Sequence, residues 1–384
     1  MINLSDFVFS YNDKSIGSGD IVYLISRNLR VEDNLALDFA LEKAEELNKK
    51  LKIIYKRKEY ESPIKKEFIT QQLKEVHQNF INYKFDFVYY KENENIKNLP
   101  IGLLVIDFNP IKDNTLLKEF PYKIYEVDST NIIPSRIISQ KQEYSAFHFR
   151  KKVHDMINGY LYEPQKITNK YAKNQLDDFI QNKLPYYSEF RNDTKKDVIS
   201  GLSKFLNLGF ISSRQVVSEI LKSNVDEKNK QEFIEEIIVR KELAENFCLY
   251  NSNYKSFLGL PNWGQKTLNN HRDDFRQYIY TKEEFEFSKT HSELWNKLQT
   301  QLRERGTIHS YSRMFWAKKI LEWTKTPEDA IDIATYLNDK YAFDAPSVNG
   351  YAGILWSIGG LHDRPFRDYP VTGQIRRMNG KKIT

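Results

Sequence analysis

The sequence predicts a doubly wound parallel α/β sheet domain at the N-terminus, followed by an all-helical domain. Three observations predict it. Over residues 1–130, short apolar runs suited to buried strands alternate with longer stretches of helical periodicity. From Tyr171 onward the helical spacing continues and the strand-like runs fade. Four of the five tryptophans, Trp295, Trp316, Trp323 and Trp356, then gather within residues 291–367. The boundaries that follow are 1–130 for the sheet domain, 131–170 for a linker and 171–384 for the helical domain.

Residues 1–19 are polar and turn-rich and read as a loose lead-in. Residues 21–25, Ile-Val-Tyr-Leu-Ile, form the first buried strand. Residues 32–47 place Leu35, Phe39, Ala40, Ala44 and Leu47 on one helical face. Strand 51–55, helix 64–80 and strands 85–89, 103–106 and 123–127 follow. This alternation predicts helices on both faces of the sheet. The turn after the first strand, Ser26-Arg-Asn-Leu-Arg30, lacks the glycines of a G-x-G-x-x-G or P-loop motif. The sheet is therefore not expected to hold a dinucleotide in the Rossmann manner. Phe149-Arg-Lys-Lys152 reads as a solvated linker face. Further on, Gly306 and Thr307 are expected to open a helix, with Thr307 as its N-cap. Trp316 and Trp323 are seven residues apart and share a face of it. Thr326, Pro327, Glu328 and Asp329 start the next helix with a cap, a proline and two acids. Asn349-Gly350 reads as a turn, and Gly359-Gly360 stops the apolar run that carries Trp356.

The net charge of +6 permits a polyanionic partner. A single cysteine, Cys248, cannot form an internal disulfide, which points to a reducing compartment. The first residues lack a basic region followed by an apolar run, so no signal peptide is expected. No stretch is apolar and long enough to span a bilayer. A cytoplasmic location, or a nuclear one in a eukaryote, is expected, and not secretion. The seven histidines are scattered, with no H-E-x-x-H and no cysteine pair, so no metal site is expected. There is no G-x-S-x-G elbow. Acid pairs such as Asp177-Asp178 and Glu235-Glu236 are ordinary on helix surfaces. Hydrolytic chemistry thus has no clear home, which fits an enzyme whose cofactor carries the hard step.

The tryptophan-rich stretch has two readings. Aromatics at helical spacing usually pack a core. Yet Arg313, Asn338, Asp344, Asn349, His362 and Asp363 are scattered among them, and buried polar groups need partners. A polar pocket for a large planar cofactor accounts for both features, without naming the cofactor.

Several long motifs stand here in order. They are Val239-Arg-Lys-Glu-Leu-Ala-Glu-Asn-Phe-Cys-Leu-Tyr250, Leu294-Trp-Asn296, Arg313-Met-Phe-Trp-Ala-Lys-Lys-Ile-Leu-Glu-Trp-Thr324, Tyr336-Leu-Asn-Asp-Lys-Tyr341, Asn349-Gly-Tyr351 and Trp356-Ser-Ile-Gly-Gly-Leu-His-Asp-Arg-Pro365. Together they resemble the C-terminal signature of class II DNA photolyases, the cyclobutane pyrimidine dimer photolyases of the photolyase/cryptochrome family. The resemblance is dense over residues 187–378 and thinner before that. It implies a helical FAD-binding catalytic domain, light-driven dimer repair by electron transfer from reduced FAD to a flipped-out dimer, and UV-damaged DNA as partner. It also implies a monomer with no membrane association. Arg30-Val-Glu-Asp-Asn-Leu-Ala-Leu37 is similar to the family's segment after the first strand. In the family an antenna chromophore sits in the N-terminal domain; its presence and identity here stay open.

Matched residue by residue, the resemblance implies cofactor contacts at Tyr187, Ser200, Leu202 and Ser203, in the family's diphosphate-binding turn. It implies an Arg313–Asp344 ion pair over the isoalloxazine ring and Asn338 facing flavin N5. Lys204-Phe-Leu-Asn-Leu-Gly209 departs from the family's Pro-Tyr-Leu-His-Phe-Gly, and Ser347 stands where the family has an acid. Trp295, Trp316 and Trp323 match electron-transfer tryptophans. Glu236 matches the residue that hydrogen-bonds the damaged bases, and Met314 and Trp356 match those that pack on them. Arg191, Asn192, Arg240 and His362 fall near DNA or flavin, and Lys195, Lys196, Arg376 and Arg377 are suited to phosphates. The family continues past Met378 with a helical tail, whose absence is expected to expose apolar surface or weaken DNA contact. Two other readings stay open: a blue-light-sensing cryptochrome-like flavoprotein without repair activity, and a helical nucleic-acid-binding protein without cofactor.

Overall fold

The computed structural model describes residues 3–383 except 97, 112–116 and 118. Its sheet consists of β1 (Val8–Ser10), β2 (Asp20–Ile25), β3 (Leu51–Arg57), β4 (Phe87–Lys91), β5 (Ile101–Asp107) and β6 (Lys123–Val127). The order is β1-β6-β5-β2-β3-β4, parallel except for β1. After the edge strand β1 the chain enters the centre at β2, steps outward through β3 to β4, then returns to the far side of β2. That reversal makes the expected doubly wound sheet, with its switch point between β2 and β5.

Helix α1 (Leu35–Glu46) is capped by Asn34, whose side chain accepts from the Leu37 N–H. Helix α2 (Pro63–Asn82) opens on a proline. Both pack against one face of the sheet, on Tyr23, Ile53, Tyr55, Leu103 and Val105. The alternate residues Val22, Leu24, Ile54, Leu104 and Ile106 gather on the other face with Phe120 and Ile124. For this second face the expectation of a helix falls on the β5–β6 crossover, residues 108–122, part of which lies outside the described residues. The return from β4 to β5, residues 92–100, is too short for a crossover helix.

The lead-in is not loose. Leu4–Phe7 forms a 3-10 turn, Phe7 is fully buried, and β1 pairs antiparallel with β6. A three-residue edge strand has too little pattern to be read without its partner. The segment expected as a linker carries helix Ala146–Met156, in which Phe149 and Val153 are buried. Two of its basic residues are paired, Arg150 with Glu235 and Lys152 with Glu143, while Lys151 is exposed.

Five later helices matter most: α3 (Lys241–Tyr250), α4 (Glu293–Arg305), α5 (Ser310–Glu322), α6 (Pro327–Tyr341) and α7 (Val348–Gly359). α7 packs on α3, α5 and α6. Gly306 does not open α5. It closes α4 at φ 65°, because a Cβ there would stand 2.3 Å from the Phe343 ring. The cap of α5 is His309, not Thr307. Asn349-Gly350 is not a turn but lies in the first turn of α7, where the Ser347 hydroxyl accepts from the Gly350 N–H. Gly360 ends α7 in the left-handed conformation, as its position after Gly359 predicts.

The apolar residues form two main cores. One runs from Phe7 to Leu243 and joins the sheet's helical face to the first helices; the other runs from Ala244 to Ile383. A buried ion pair ties the end of β2 to α3. Arg27 donates from both terminal nitrogens to Glu245, at 2.5 and 2.9 Å. Asp107, at the end of β5, fixes this loop by accepting from the backbone N–H groups of Ser26 and Arg27 and from Asn28 Nδ2. Burial pushes the Glu245 carboxyl up, but Arg27 and Lys241 outweigh it and hold it below the ordinary range. Replacing Glu245 by Ala strands a buried guanidinium, and the expected loss of stability is about 3–5 kcal/mol. Urea unfolding checks this, as a fall in midpoint at unchanged slope.

Candidate active site

A cavity of about 390 Å³ lies at the seam between the two cores, within the usual size range of cofactor sites. One wall comes from the chain leading into α3. Helix Glu227–Ile234 widens there into a π-helical turn, Glu235–Arg240, before α3 begins. Such turns break the regular ladder and are frequent at functional sites. Here the turn sets Glu236 and Ile237 on the same wall as Lys241 and Glu245 of α3. The facing wall is Arg313, Met314, Trp316 and Ala317 of α5. Asn349, Gly350, Gly353 and Ile354 of α7 close one side. A Cβ on Gly353 would meet nothing within 4 Å, so the cavity is open beside it.

The polar groups are grouped. Ser200, Gly201 and Ser203 line one end. Arg313 Nη1 donates to both Asp344 oxygens, at 3.1 and 3.2 Å, and both side chains keep partial exposure to the cavity. Burial alone raises the Asp344 carboxyl, but Arg313 and the Ser203 hydroxyl outweigh it and hold it below the ordinary range. Phe233, Ile237, Trp316 and Ile354 add apolar and aromatic surface between further polar groups, among them Arg27, Lys241 and Glu245. Serine hydroxyls, a fixed charge pair and aromatic surface in one cavity suit a ligand that has an anionic part and a planar ring.

The cavity opens into a groove of about 1250 Å³. Tyr187, Glu236, Met314 and Asn349 line both spaces. Arg191, Asn192, Arg240, Trp356 and His362 line the groove, as do Arg150, Arg364, Arg376 and Arg377. Arg191 donates to Glu236 at 3.0 Å, so this carboxylate is aimed but half-open to the groove. Burial and the nearby Glu236 push the Tyr187 phenol up to about 12. Burial, with Arg240 close by, brings His362 down to about 4, so its ring is neutral at physiological pH.

The expected site residues fall in three layers. Tyr187, Ser200, Ser203, Arg313 and Asp344 line the cavity, whereas Leu202 is buried in the core beside it. Asn338 is also buried, behind α7, where a Cβ on Gly350 would stand 2.9 Å from its Nδ2. Behind Trp316, Trp295 stacks on it at 6.3 Å and 5°, and Trp323 meets Trp295 edge-on at 6.2 Å. Arg376 and Arg377 reach the groove; Lys195 and Lys196 are not on its wall. Sequence reasoning missed Arg27, Lys241 and Glu245. The available signal was a charged residue directly after a wholly buried strand. It also missed Lys318, buried beneath Trp356 with its ammonium 4.7 Å from the indole ring and donating to the Ser357 carbonyl.

No protein-family model matches the chain. Its structure is similar to the crystal structure of a Synechocystis cryptochrome, with a TM-score of 0.71 at 13% identity, covering 92% of this chain and 84% of that one. The architecture is therefore that of the photolyases and cryptochromes. In sequence, the chain is 36% identical over 326 residues to the deoxyribodipyrimidine photo-lyase of Potorous tridactylus, covering 73% of this chain. It is 31% identical to that of Arabidopsis thaliana, covering 94% of this chain and 85% of the plant enzyme. The chain belongs to the deoxyribodipyrimidine photo-lyase family. The match spans 61% of the length of the Potorous enzyme.

Burial brings the Lys318 amine down to about 7. The unfolded chain, with an ordinary lysine near 10.4, binds the extra proton between these values, so this group makes stability rise with pH from about 7 to about 10. Lys318→Met is expected to remove that rise and to be more stable than the native chain near neutrality. Denaturant unfolding of both chains across this pH range measures it.

Proposed function

We propose that this chain is a light-driven lyase that splits cyclobutane pyrimidine dimers in DNA, using FAD held in the cavity. The observation that carries the reading is the shared wall. Glu236 and Met314 face both cavity and groove, so a base flipped into the groove meets the edge of a ring in the cavity. Among the family's classes, the motifs from Arg313 to Pro365 favour class II.

The residues of the cavity fit FAD. Ser200 and Ser203 are suited to the diphosphate, the Arg313–Asp344 pair to the polar edge of the isoalloxazine, and Met314 and Trp316 to its flanks. Reduced FAD, once bound, supplies on illumination the electron that opens the dimer and receives it back. The chain's own work is positioning and electrostatics. Arg313 sets a fixed positive charge against the cofactor, and Asp344 keeps that charge oriented. Gly350 lets Asn338 approach from behind α7 as a neutral amide. Glu236, oriented by Arg191, is suited to bond the N–H groups of the flipped bases, while Trp356 offers them an apolar face. Arg364, Arg376 and Arg377 supply sequence-independent phosphate contacts along the groove. The row Trp316, Trp295, Trp323 carries a hole away from the cavity when the cofactor must be reduced by light. We assign residues 1–130 to the sheet domain that braces this site and 171–384 to the catalytic part, acting as a monomer inside the cell. No helix among the described residues is long and apolar enough to cross a membrane.

Replacing Asp344 by Ala frees the Arg313 charge and is expected to weaken FAD retention about tenfold or more, tenfold being about 1.4 kcal/mol. Flavin fluorescence released on dilution measures it, and native retention removes the ion pair from the account. Replacing Glu236 by Ala is expected to keep FAD and weak, salt-sensitive binding of undamaged duplex. Lesion preference should fall about tenfold or more, as for one lost charge-assisted hydrogen bond. Paired binding of dimer-containing and undamaged oligonucleotides, with repair yield per photon, is the check. Unchanged preference and yield would move the substrate site elsewhere and favour a light sensor.

A further inference from the structure

Helix α7 contains three glycines, Gly350, Gly353 and Gly359. A glycine within a helix is less stable there than an alanine, because it gives up more backbone freedom on folding. Two of the three have a reason in the protein itself. A Cβ on Gly350 would stand 2.9 Å from Asn338 Nδ2, and one on Gly359 would run into the Leu260 side chain. Gly353 has no such reason. A Cβ on it would meet nothing within 4 Å, and its backbone is ordinary helix, with no positive φ. Neither packing nor backbone conformation requires glycine at this position.

Its place on the helix supplies one. Gly353 lines both the cavity and the groove, as does Asn349 one turn before it on the same face. Ile354 and Ser357 line the cavity and not the groove, whereas Ala352 and Trp356 line the groove and not the cavity. Glu236 and Met314, from other elements, bound the same opening. At Gly353 the α7 side of the opening is therefore bare backbone.

We infer that Gly353 is a contact window, a positioning residue whose missing side chain lets the ligand of the cavity and the base in the groove touch across α7. The inference rests on the reading of these two spaces as cofactor and substrate sites. The step it serves is the exchange already described. One electron passes from reduced FAD to the dimer, the cyclobutane bonds break, and the electron returns to the flavin, so no further reactant is consumed. A side chain at 353 would project into the opening where the two ligands meet and hold them apart. The helix gives up the stability of an alanine to keep that opening clear.

The test compares the FAD-loaded native chain with Gly353→Ala and Gly353→Leu. Gly353→Ala is expected to unfold at a higher urea midpoint than the native chain, since its methyl group meets only open space. Without DNA it keeps FAD as the native chain does. Its binding of undamaged duplex is unchanged, because no base is flipped into the groove. Its binding of an oligonucleotide with one cyclobutane thymine dimer falls about tenfold or more, the usual worth of one methyl group forced into a tight contact. Coupling between two ligands is reciprocal, so the bound dimer lowers FAD retention by the same factor. Gly353→Leu deepens both effects. A residue with only a structural role would instead lower the midpoint or weaken every ligand alike. The window is overturned by a lower midpoint in Gly353→Ala, by loss of its FAD without DNA, or by an equal fall for undamaged duplex. Native dimer binding and FAD retention in Gly353→Leu overturn it as well. The underlying reading fails separately. If the native chain binds the dimer but leaves it unsplit in the light, while the variants still set dimer against FAD, the window stands and the electron exchange falls. If the native chain repairs and the variants show no such coupling, the window falls and the exchange stands.

Discussion

Charged groups in the wall of a polar cavity between two apolar cores are costly unless they are partnered. The Arg27–Glu245 pair meets that need. It joins the carboxyl end of β2 to α3 across the seam, with both groups buried and the guanidinium bonded twice. Gly209 adds to the same junction. Its φ of 71° and missing Cβ let the Arg27 carbonyl come within what would be 2.0 Å of a side chain. A buried pair of this kind is a weak source of net stability and a strong penalty when broken. Its role here is registration: it fixes where the sheet domain meets the helix whose preceding turn carries Glu236.

From that junction the site divides its tasks by direction. The cavity faces the groove on one side, through Glu236 and Met314. On another it faces Trp316, whose ring begins the row that leads outward through Trp295 to Trp323. Groove and tryptophan row therefore leave the cavity in different directions, and in the proposed function the first would serve the substrate and the second the supply of electrons. Lys318 and Arg376 both lie over Trp356, the groove's own tryptophan, at 4.7 and 5.9 Å.

The sequence made the middle of the sheet legible, because a parallel strand buried on both faces reads as an unbroken apolar run. It did not reveal β1, whose three residues mean nothing without β6. Gly306 was misplaced because a glycine between two helical stretches serves either end, and only the approach of Phe343 decides which. Asn349-Gly350 looked like a turn, but the glycine is there to admit Asn338. Spacing put Trp316 and Trp323 on one face, yet the ring that joins them, Trp295, comes from the preceding helix, and no local periodicity shows that. The π-helical turn at Glu235–Arg240 has no sequence signature at all. The site residues carried by long motifs were legible as a set. Their layering, with Asn338 and Leu202 behind the wall and Arg27 on it, came only from packing.

The central claim is that a dimer in the groove receives an electron from the cofactor in the cavity. The direct measurement is repair of an oligonucleotide holding one cyclobutane thymine dimer by the reduced, FAD-loaded protein. It is read as intact thymines recovered per absorbed photon, beside a dark control. The account predicts restoration in the light, none in the dark, and no net change in the oxidation state of the flavin. Flavin that is bound and absorbing, with dimer bound in the groove but left unsplit in the light, would contradict it.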